Sequence, residues 1–351
     1  MKPDVSAKSR RQPPCVELRT GTPYANLIAN QRLFAAAVGE YFGVSPDDCV
    51  PTTGASGAIE AVRNHVFRTR LKAWPTVLTV CPGYWRARES FEGFGFRMVD
   101  LRTEPLGFTI DEAALVSKAE ETKPDLLYLS LPNNPTGAVF DPEVVIAGAP
   151  EGTAVVIDLT LPSRAVDARA LTRRLYRKFG GRRDLFLVGS TSKSHGTAEY
   201  RIGWAVCANH EDAEQLRREN RSGVASASIM EAIRQLEKGP TAMGQIESSF
   251  ARLRGGEKCG AFELVAPERM AETAYVLIRA GAQELRGVLD RRGISVMWGS
   301  EFGLTDEYIR LETLEPRNIE TFVEAVNSLF HEKSVGPVSR AGGEGGRGHA
   351  D

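Results

Sequence analysis

Lys193 stands in the stretch Ser190-Thr191-Ser192-Lys193-Ser194-His195, with hydroxyls one and three residues before it and Arg201 eight residues after it. Hydroxyls and a guanidinium suit an oxyanion such as phosphate, and a lysine amine can condense with an aldehyde. Four other short strings carry matching chemistry. Thr53-Gly54-Ala55-Ser56-Gly57 precedes an amphipathic helical pattern; it reads either as a helix start open to a phosphate or as an ordinary turn with a serine cap. Tyr84, in Pro82-Gly83-Tyr84-Trp85, is either a stacking platform for a planar ring or one more core aromatic. Asn134, in Asn133-Asn134-Pro135-Thr136-Gly137, can present an amide to a phenolic oxygen, or the string is simply a turn. Asp158 ends the apolar run Val155-Val156-Ile157, where a carboxylate binds a cation or caps a neighbouring group. Together these residues describe a site for a phosphorylated, aromatic, nitrogen-containing aldehyde. Ser190, Ser192, Arg201 and a helix start would take its phosphate, Tyr84 its ring, Asn134 its ring oxygen, Asp158 its ring nitrogen and Lys193 its carbonyl carbon.

Those residues need elements to hold them. Runs at Thr76–Val80, Arg97–Leu101, Leu126–Leu131, Ala154–Ile157, Leu185–Val188 and Trp204–Cys207 read as strands, several continuously apolar as in a sheet covered on both faces. Helical patterns cover Ala29–Phe42, Gly57–Arg70, Trp85–Phe94 and Asp111–Glu121. The alternation predicts an α/β domain with a mostly parallel central sheet and a ligand at the carboxyl ends of its strands. Beyond Ser226 a smaller α+β unit is expected. Its elements are a helix at Ser226–Leu236, a long helix from Pro267 to about Arg292, strands at Ile294–Met297 and Tyr308–Glu312, and a last helix at Arg317–Phe330. The expected division is a disordered segment 1–16, the N-terminal part of the small domain at 17–44, the large domain at 45–230, the rest of the small domain at 231–333 and a disordered tail 334–351.

Charge excludes some partners. Acidic residues number 45 against 44 basic, so no net field favours nucleic acid or an anionic membrane. The five cysteines, Cys15, Cys49, Cys81, Cys207 and Cys259, form no C-x-x-C pair, which argues against a zinc site or a disulfide framework. With no signal-like or membrane-spanning apolar run, the expected location is the cytoplasm.

The strings Ser190-Thr191-Ser192-Lys193, Arg201-Ile202-Gly203-Trp204 and Asn134-Pro135-Thr136-Gly137 resemble those of fold-type-I pyridoxal-phosphate (PLP) enzymes of the class I/II aminotransferase superfamily. With Gly21-Thr22-Pro23, they are similar to the alliinase and tryptophan aminotransferase branch. The resemblance covers about residues 21–329. It implies a large domain with a mostly parallel sheet, a smaller α+β domain, and a homodimer with active sites at the subunit interface. It implies Lys193 as the Schiff-base lysine and the base at the substrate α-carbon, and Asp158 as partner of the ring nitrogen. It places Asn134 at the ring oxygen, Tyr84 on the ring, and Gly54, Ala55, Ser56, Ser190, Ser192 and Arg201 around the phosphate. It matches Arg310, in Tyr308-Ile309-Arg310-Leu311-Glu312, to the arginine that grips the substrate α-carboxylate. Tyr24 corresponds to a tyrosine reaching the neighbouring subunit's phosphate.

One position departs from the pattern. Most relatives follow the aspartate three residues later with a tyrosine that donates to the ring oxygen, whereas Asp158-Leu159-Thr160-Leu161 offers Leu161, with Thr160 as a substitute only through shifted geometry. The resemblance implies an aminotransferase acting on an α-amino acid through a lysine Schiff base and a quinonoid, in amino-acid metabolism. The alternative is a PLP lyase or cyclase that eliminates or replaces a β or γ substituent. A PLP-binding regulator would carry a DNA-binding domain ahead of this region, and only a short polar segment is present there. His195 is expected to be a solvated loop histidine, and Trp85, Arg86, Arg88 and Arg164 either face a substrate or solvate helices.

Overall fold

A computed structural model describes residues 23–220, 223–258, 260, 262–280 and 282–334. The expected disordered ends lie outside them except for Ser334, which is helical, and so do Gly21, Thr22, Cys15 and Cys259. Seven strands form the large sheet: β1 (Cys49–Thr52), β2 (Thr76–Cys81), β3 (Arg97–Arg102), β4 (Leu126–Ser130), β5 (Ala154–Asp158), β6 (Leu185–Ser190) and β7 (Gly203–Cys207), in the order β1-β7-β6-β5-β4-β2-β3. β6, β5, β4, β2 and β3 pair in parallel, and β7 runs antiparallel to both β6 and β1. This is the mostly parallel sheet that the alternating pattern predicts; β1 is the strand it lacks.

Burial explains the texture of those strands. Except for β3, every strand of this sheet is buried along its whole length, so each contributes to both faces. In β4 and β5, Leu127, Leu129, Val155 and Ile157 enter one core, and Leu126, Tyr128, Ala154 and Val156 enter the other. The first core is closed by α1 (Pro23–Phe42), α4 (Glu112–Thr122), α5 (Pro142–Gly148), α6 (Ala168–Lys178) and α9 (Ser226–Lys238). The second is closed by α2 (Gly54–Arg70), α3 (Trp85–Gly93) and α8 (His210–Glu219). β3 is one of the two edges, and its Arg97, Asp100 and Arg102 are exposed charges that discourage a further strand.

A second sheet holds β8 (Glu263–Leu264), β9 (Tyr275–Arg279), β10 (Met297–Trp298) and β11 (Tyr308–Glu312) in the order β10-β11-β9-β8, all antiparallel. One face packs on α10 (Met243–Glu257), α11 (Ala282–Arg291) and α12 (Pro316–Ser334) through Val276, Ile278, Ile309 and Leu311. The expected long helix from Pro267 to Arg292 is corrected here. Tyr275-Val276-Leu277-Ile278, rich in β-branched and aromatic side chains, forms a strand held by five registered partners on β11. Only Ala282–Arg291 is helical. The strand expected at Ile294–Met297 is reduced to Met297–Trp298. Among the described residues no helix is long and apolar enough to cross a membrane.

Candidate active site

Strand ends place the chemistry. Asp158 is the last residue of β5, and Asn134 follows β4 by a short turn. Ser190 ends β6 and caps the single turn α7 (Thr191–Ser194), which carries Ser192 and Lys193. Tyr84 follows β2 as the N-cap of α3. The continuous strands therefore deliver these residues to one edge of the large sheet.

Period-two alternation puts Asp158 on the same sheet face as Tyr128, a diagonal neighbour on β4. Tyr128 donates its hydroxyl to Asp158 Oδ2 at 2.9 Å, and Thr160 donates both its backbone N–H, at 3.0 Å, and its hydroxyl, at 2.5 Å, to Oδ1. Burial pushes the Asp158 carboxyl up from its ordinary range, opposed by those hydrogen bonds. No cation pairs with it among the described residues, so a protonated ring nitrogen would supply the missing charge. Thr160 thus commits its hydroxyl to Asp158, not to the ring-oxygen position. Leu161 is buried and offers no donor.

The anion cradle is equally local. Thr53 makes no side-chain cap on α2, leaving the first N–H groups of a 17-residue helix open. Gly54 sits at φ +75°, and a Cβ there would lie 2.8 Å from an Arg201 guanidinium nitrogen. A Cβ on Gly203 would come within 2.5 Å of the Gly54 carbonyl carbon. β7 is thus pressed against the start of α2, so that Gly54, Ala55 and Ser56 meet Arg201. A phosphate fits this arrangement of open N–H groups, hydroxyls and one guanidinium. Tyr84 and Ser56 also line a groove of about 450 Å³ between α2 and α3. Burial raises the Tyr84 phenol, with a hydrogen bond from Ser56 opposing it.

The second sheet supplies the opposite wall. With Ile309 and Leu311 turned to the helices, Arg310 and Glu312 share the other face of β11, and Tyr275 on β9 stands directly across from Glu312. Arg310 stacks on the Tyr275 ring at 4.2 Å and donates to Asn134 Oδ1 at 3.4 Å. That orientation leaves the Asn134 NH₂ free to act as a donor. Burial lowers the Arg310 guanidinium from its ordinary value, with Tyr275, Tyr84 and Glu312 among the groups opposing it. Lys193 Nζ lies 4.9 Å from the same Tyr275 ring and 2.5 Å from Glu312 Oε1. Burial pulls the Lys193 amine down, but Tyr275 and Glu312 outweigh it and the net shift is upward.

The structure therefore brings Lys193, Asn134 and Arg310 together through Tyr275, and Gly54 together with Arg201. Tyr24 falls in the first turn of α1, and its side chain lies outside the described residues. Sequence reasoning misses Tyr128, Tyr275 and Glu312. His195 is corrected: it is buried, 7% exposed, with Nδ1 bonded to Ser194 at 2.7 Å and Nε2 unpartnered, and burial pulls it down to about 4. Arg88 is engaged by Glu92 and Asp100, Arg164 by Glu247, and Arg86 stacks on Trp85.

Comparison with known proteins gives a concordant picture. Residues 28–326 match the family model described as aminotransferase class I and II. The chain is similar to a histidinol-phosphate aminotransferase of Symbiobacterium thermophilum, 28% identical over 243 residues, covering 64% of this chain and 62% of the relative. A second histidinol-phosphate aminotransferase, from Archaeoglobus fulgidus, is 25% identical over 299 residues and covers 84% of this chain and 81% of that one. The crystal structure of the histidinol-phosphate aminotransferase from Clostridium acetobutylicum shares the fold at TM-score 0.71 and 18% identity, over 87% of this chain and 90% of that one.

Proposed function

The chain belongs to the class I and II aminotransferase family, and on that premise we propose that it transfers the amino group of an α-amino acid, with Lys193 as the catalytic lysine. The observation that carries the reading is the meeting of Lys193, Asn134 and Arg310 around Tyr275, across the gap between the two sheets. Pyridoxal phosphate, when bound, supplies an electron sink for the bond that breaks at the substrate α-carbon.

The chain's own residues do the rest. Arg201, Ser190, Ser192 and the open start of α2 bind the phosphate, and Asp158 holds a proton on the ring nitrogen. Asn134 donates its amide to the ring oxygen. Tyr84 covers the ring. Arg310 grips the substrate α-carboxylate, its planar fork matching two oxygens at once. Tyr275 orients the Arg310 guanidinium and the Lys193 amine, keeping both on one side of the substrate. Lys193, as the neutral amine, takes the α-proton and returns it to a different carbon, the step that separates amino transfer from simple racemisation. A homodimer in the cytoplasm, with Tyr24 reaching the neighbouring site, belongs to the same proposal.

Incubating the PLP-loaded protein with a panel of amino acids tests it. Loading is expected to give an absorbance band near roughly 410–430 nm, a property of the cofactor joined to an amine. Amino transfer then converts that band to the amine form of the cofactor while a keto acid accumulates. One observation favours a second reading: with Leu161 apolar and Thr160 committed to Asp158, the ring oxygen has one donor fewer than the family pattern. Release of a β or γ leaving group with the original band restored would identify the protein as a lyase or cyclase instead.

A further inference from the structure

We propose that Glu312 is a specificity-determining residue that receives a cationic group on the substrate side chain, so that this site favours basic amino acids. The proposal rests on the reading of the pocket as an amino-acid site and extends it to the class of side chain.

Glu312 is half exposed, at 48%, and its salt bridge is to the Lys193 amine at 2.5 Å. That partner is the one the site must take away. A lysine bonded to the cofactor no longer serves Glu312, and the neighbouring cation on the same strand face, Arg310, is occupied once it holds the α-carboxylate. Glu312 then stands as a carboxylate without a cation, facing the space the substrate fills. Tyr275, its cross-strand partner, is a phenol and carries no positive charge. Residues i and i+2 of a strand lie about 6–7 Å apart along the backbone, so the Glu312 side chain leaves β11 about that far from the α-carboxylate clamp. An amino acid of ornithine length places its distal ammonium there.

Electrostatics decides between side chains. A neutral side chain closing over Glu312 strips water from a carboxylate and offers nothing in return, whereas an ammonium replaces the charge that Lys193 withdrew. The discrimination is limited because Glu312 remains partly solvated. About a two- to fivefold preference is expected, the range of a partly exposed ion pair.

The test uses unreactive probes on the PLP-loaded protein. Calorimetry compares 4-guanidinobutanoate with 4-ureidobutanoate, two carboxylates of the same shape that differ in distal charge and carry no amine able to condense with the cofactor. The wild type is expected to bind the guanidinium probe about two- to fivefold more tightly. Glu312→Gln is expected to bring the ratio to near one, and Glu312→Asp, which keeps the charge, to retain part of it. In turnover, the ratio of KM for L-norvaline to KM for L-ornithine falls in the glutamine variant by the same factor. Equal binding of the two probes by the wild type, or a preference that survives Glu312→Gln, overturns the assignment. Failure of the family reading shows itself earlier and separately, as a protein that develops no cofactor band on loading.

Discussion

The two walls of the site are built on opposite plans. On the large-sheet side, Asp158 ends a strand buried along its length and its carboxylate is fixed by Tyr128 and Thr160, while Asn134 follows the neighbouring strand with its backbone N–H donating to the Ser130 hydroxyl. On the small-sheet side, Tyr275, Arg310 and Glu312 stand on the face of an antiparallel sheet opposite its helices, beside a small apolar cluster around Leu277 and Tyr308, joined by a shared aromatic ring and partly open to solvent. The first plan suits a group that never leaves. The second suits a group that must be exchanged at every turnover. Substitutions on the first wall should therefore reduce kcat and cofactor retention, and those on the second should move KM.

Lys193 bridges the walls, and its removal should have the largest effect. Lys193→Ala is expected to reduce amino transfer by about 10²–10⁴-fold or more and to abolish the absorbance band, because both the covalent link and the proton carrier are lost. Single-turnover kinetics with added PLP checks this, and a variant with a normal band would remove Lys193 from the site altogether. Arg310→Lys comes next. A point charge cannot reproduce a planar fork over Tyr275, so KM should rise about 10–100-fold with kcat changed much less. An equal fall in kcat would show that the small-sheet wall acts on the chemical step, and the contrast between the walls would be lost.

The two plans also explain what the sequence reveals. Asp158, Asn134, Lys193 and Tyr84 each follow a run of apolar residues, and a polar side chain at the end of a buried strand stands out in the amino-acid pattern itself. Ser190, Lys193 and Arg201 add a fixed local spacing. On the other wall, Tyr275 lies in a five-residue strand between helix-compatible segments, so periodicity assigns it to the wrong element. Arg310 and Glu312 are visible as a pair on one strand, yet which face they share with Tyr275 follows only from the register of β11 on β9. Tyr128 hides for a different reason. It reads as one apolar position among several, and its hydroxyl matters only because β4 and β5 align it with Asp158.

The dryness of the first wall can be measured through His195. Burial pulls this imidazole down to about 4, below the ordinary value of 6.5, so the unfolded chain binds more protons than the folded one between those values. Its contribution to stability is therefore complete above pH 6.5 and is lost as the pH falls through about 4. The total is up to about 3 kcal/mol. Thermal unfolding of the wild type should show midpoints that fall across this window, and His195→Gln should flatten that dependence. An unchanged slope in the variant would mean that the α7 region admits water.

The smallest effect, and the finest test of the contrast, is expected from Tyr128→Phe. The ring keeps its edge-on contact with Phe91, at 5.7 Å between centroids, so the substitution removes one hydroxyl and little packing. Asp158 keeps the Thr160 bonds but loses the donor on Oδ2, which costs about 0.5–1.5 kcal/mol in the folded protein. With one donor fewer, the carboxyl rises further above its ordinary range and holds a protonated ring nitrogen less firmly. Cofactor dissociation should therefore quicken several-fold, while KM for the amino acid stays within about twofold, since Arg310 and Glu312 are untouched. Dissociation measured by loss of the cofactor band after dilution, set beside KM, separates the two walls in one variant. A shift in KM without faster dissociation would show that Tyr128 acts across the gap, on the wall that receives the substrate.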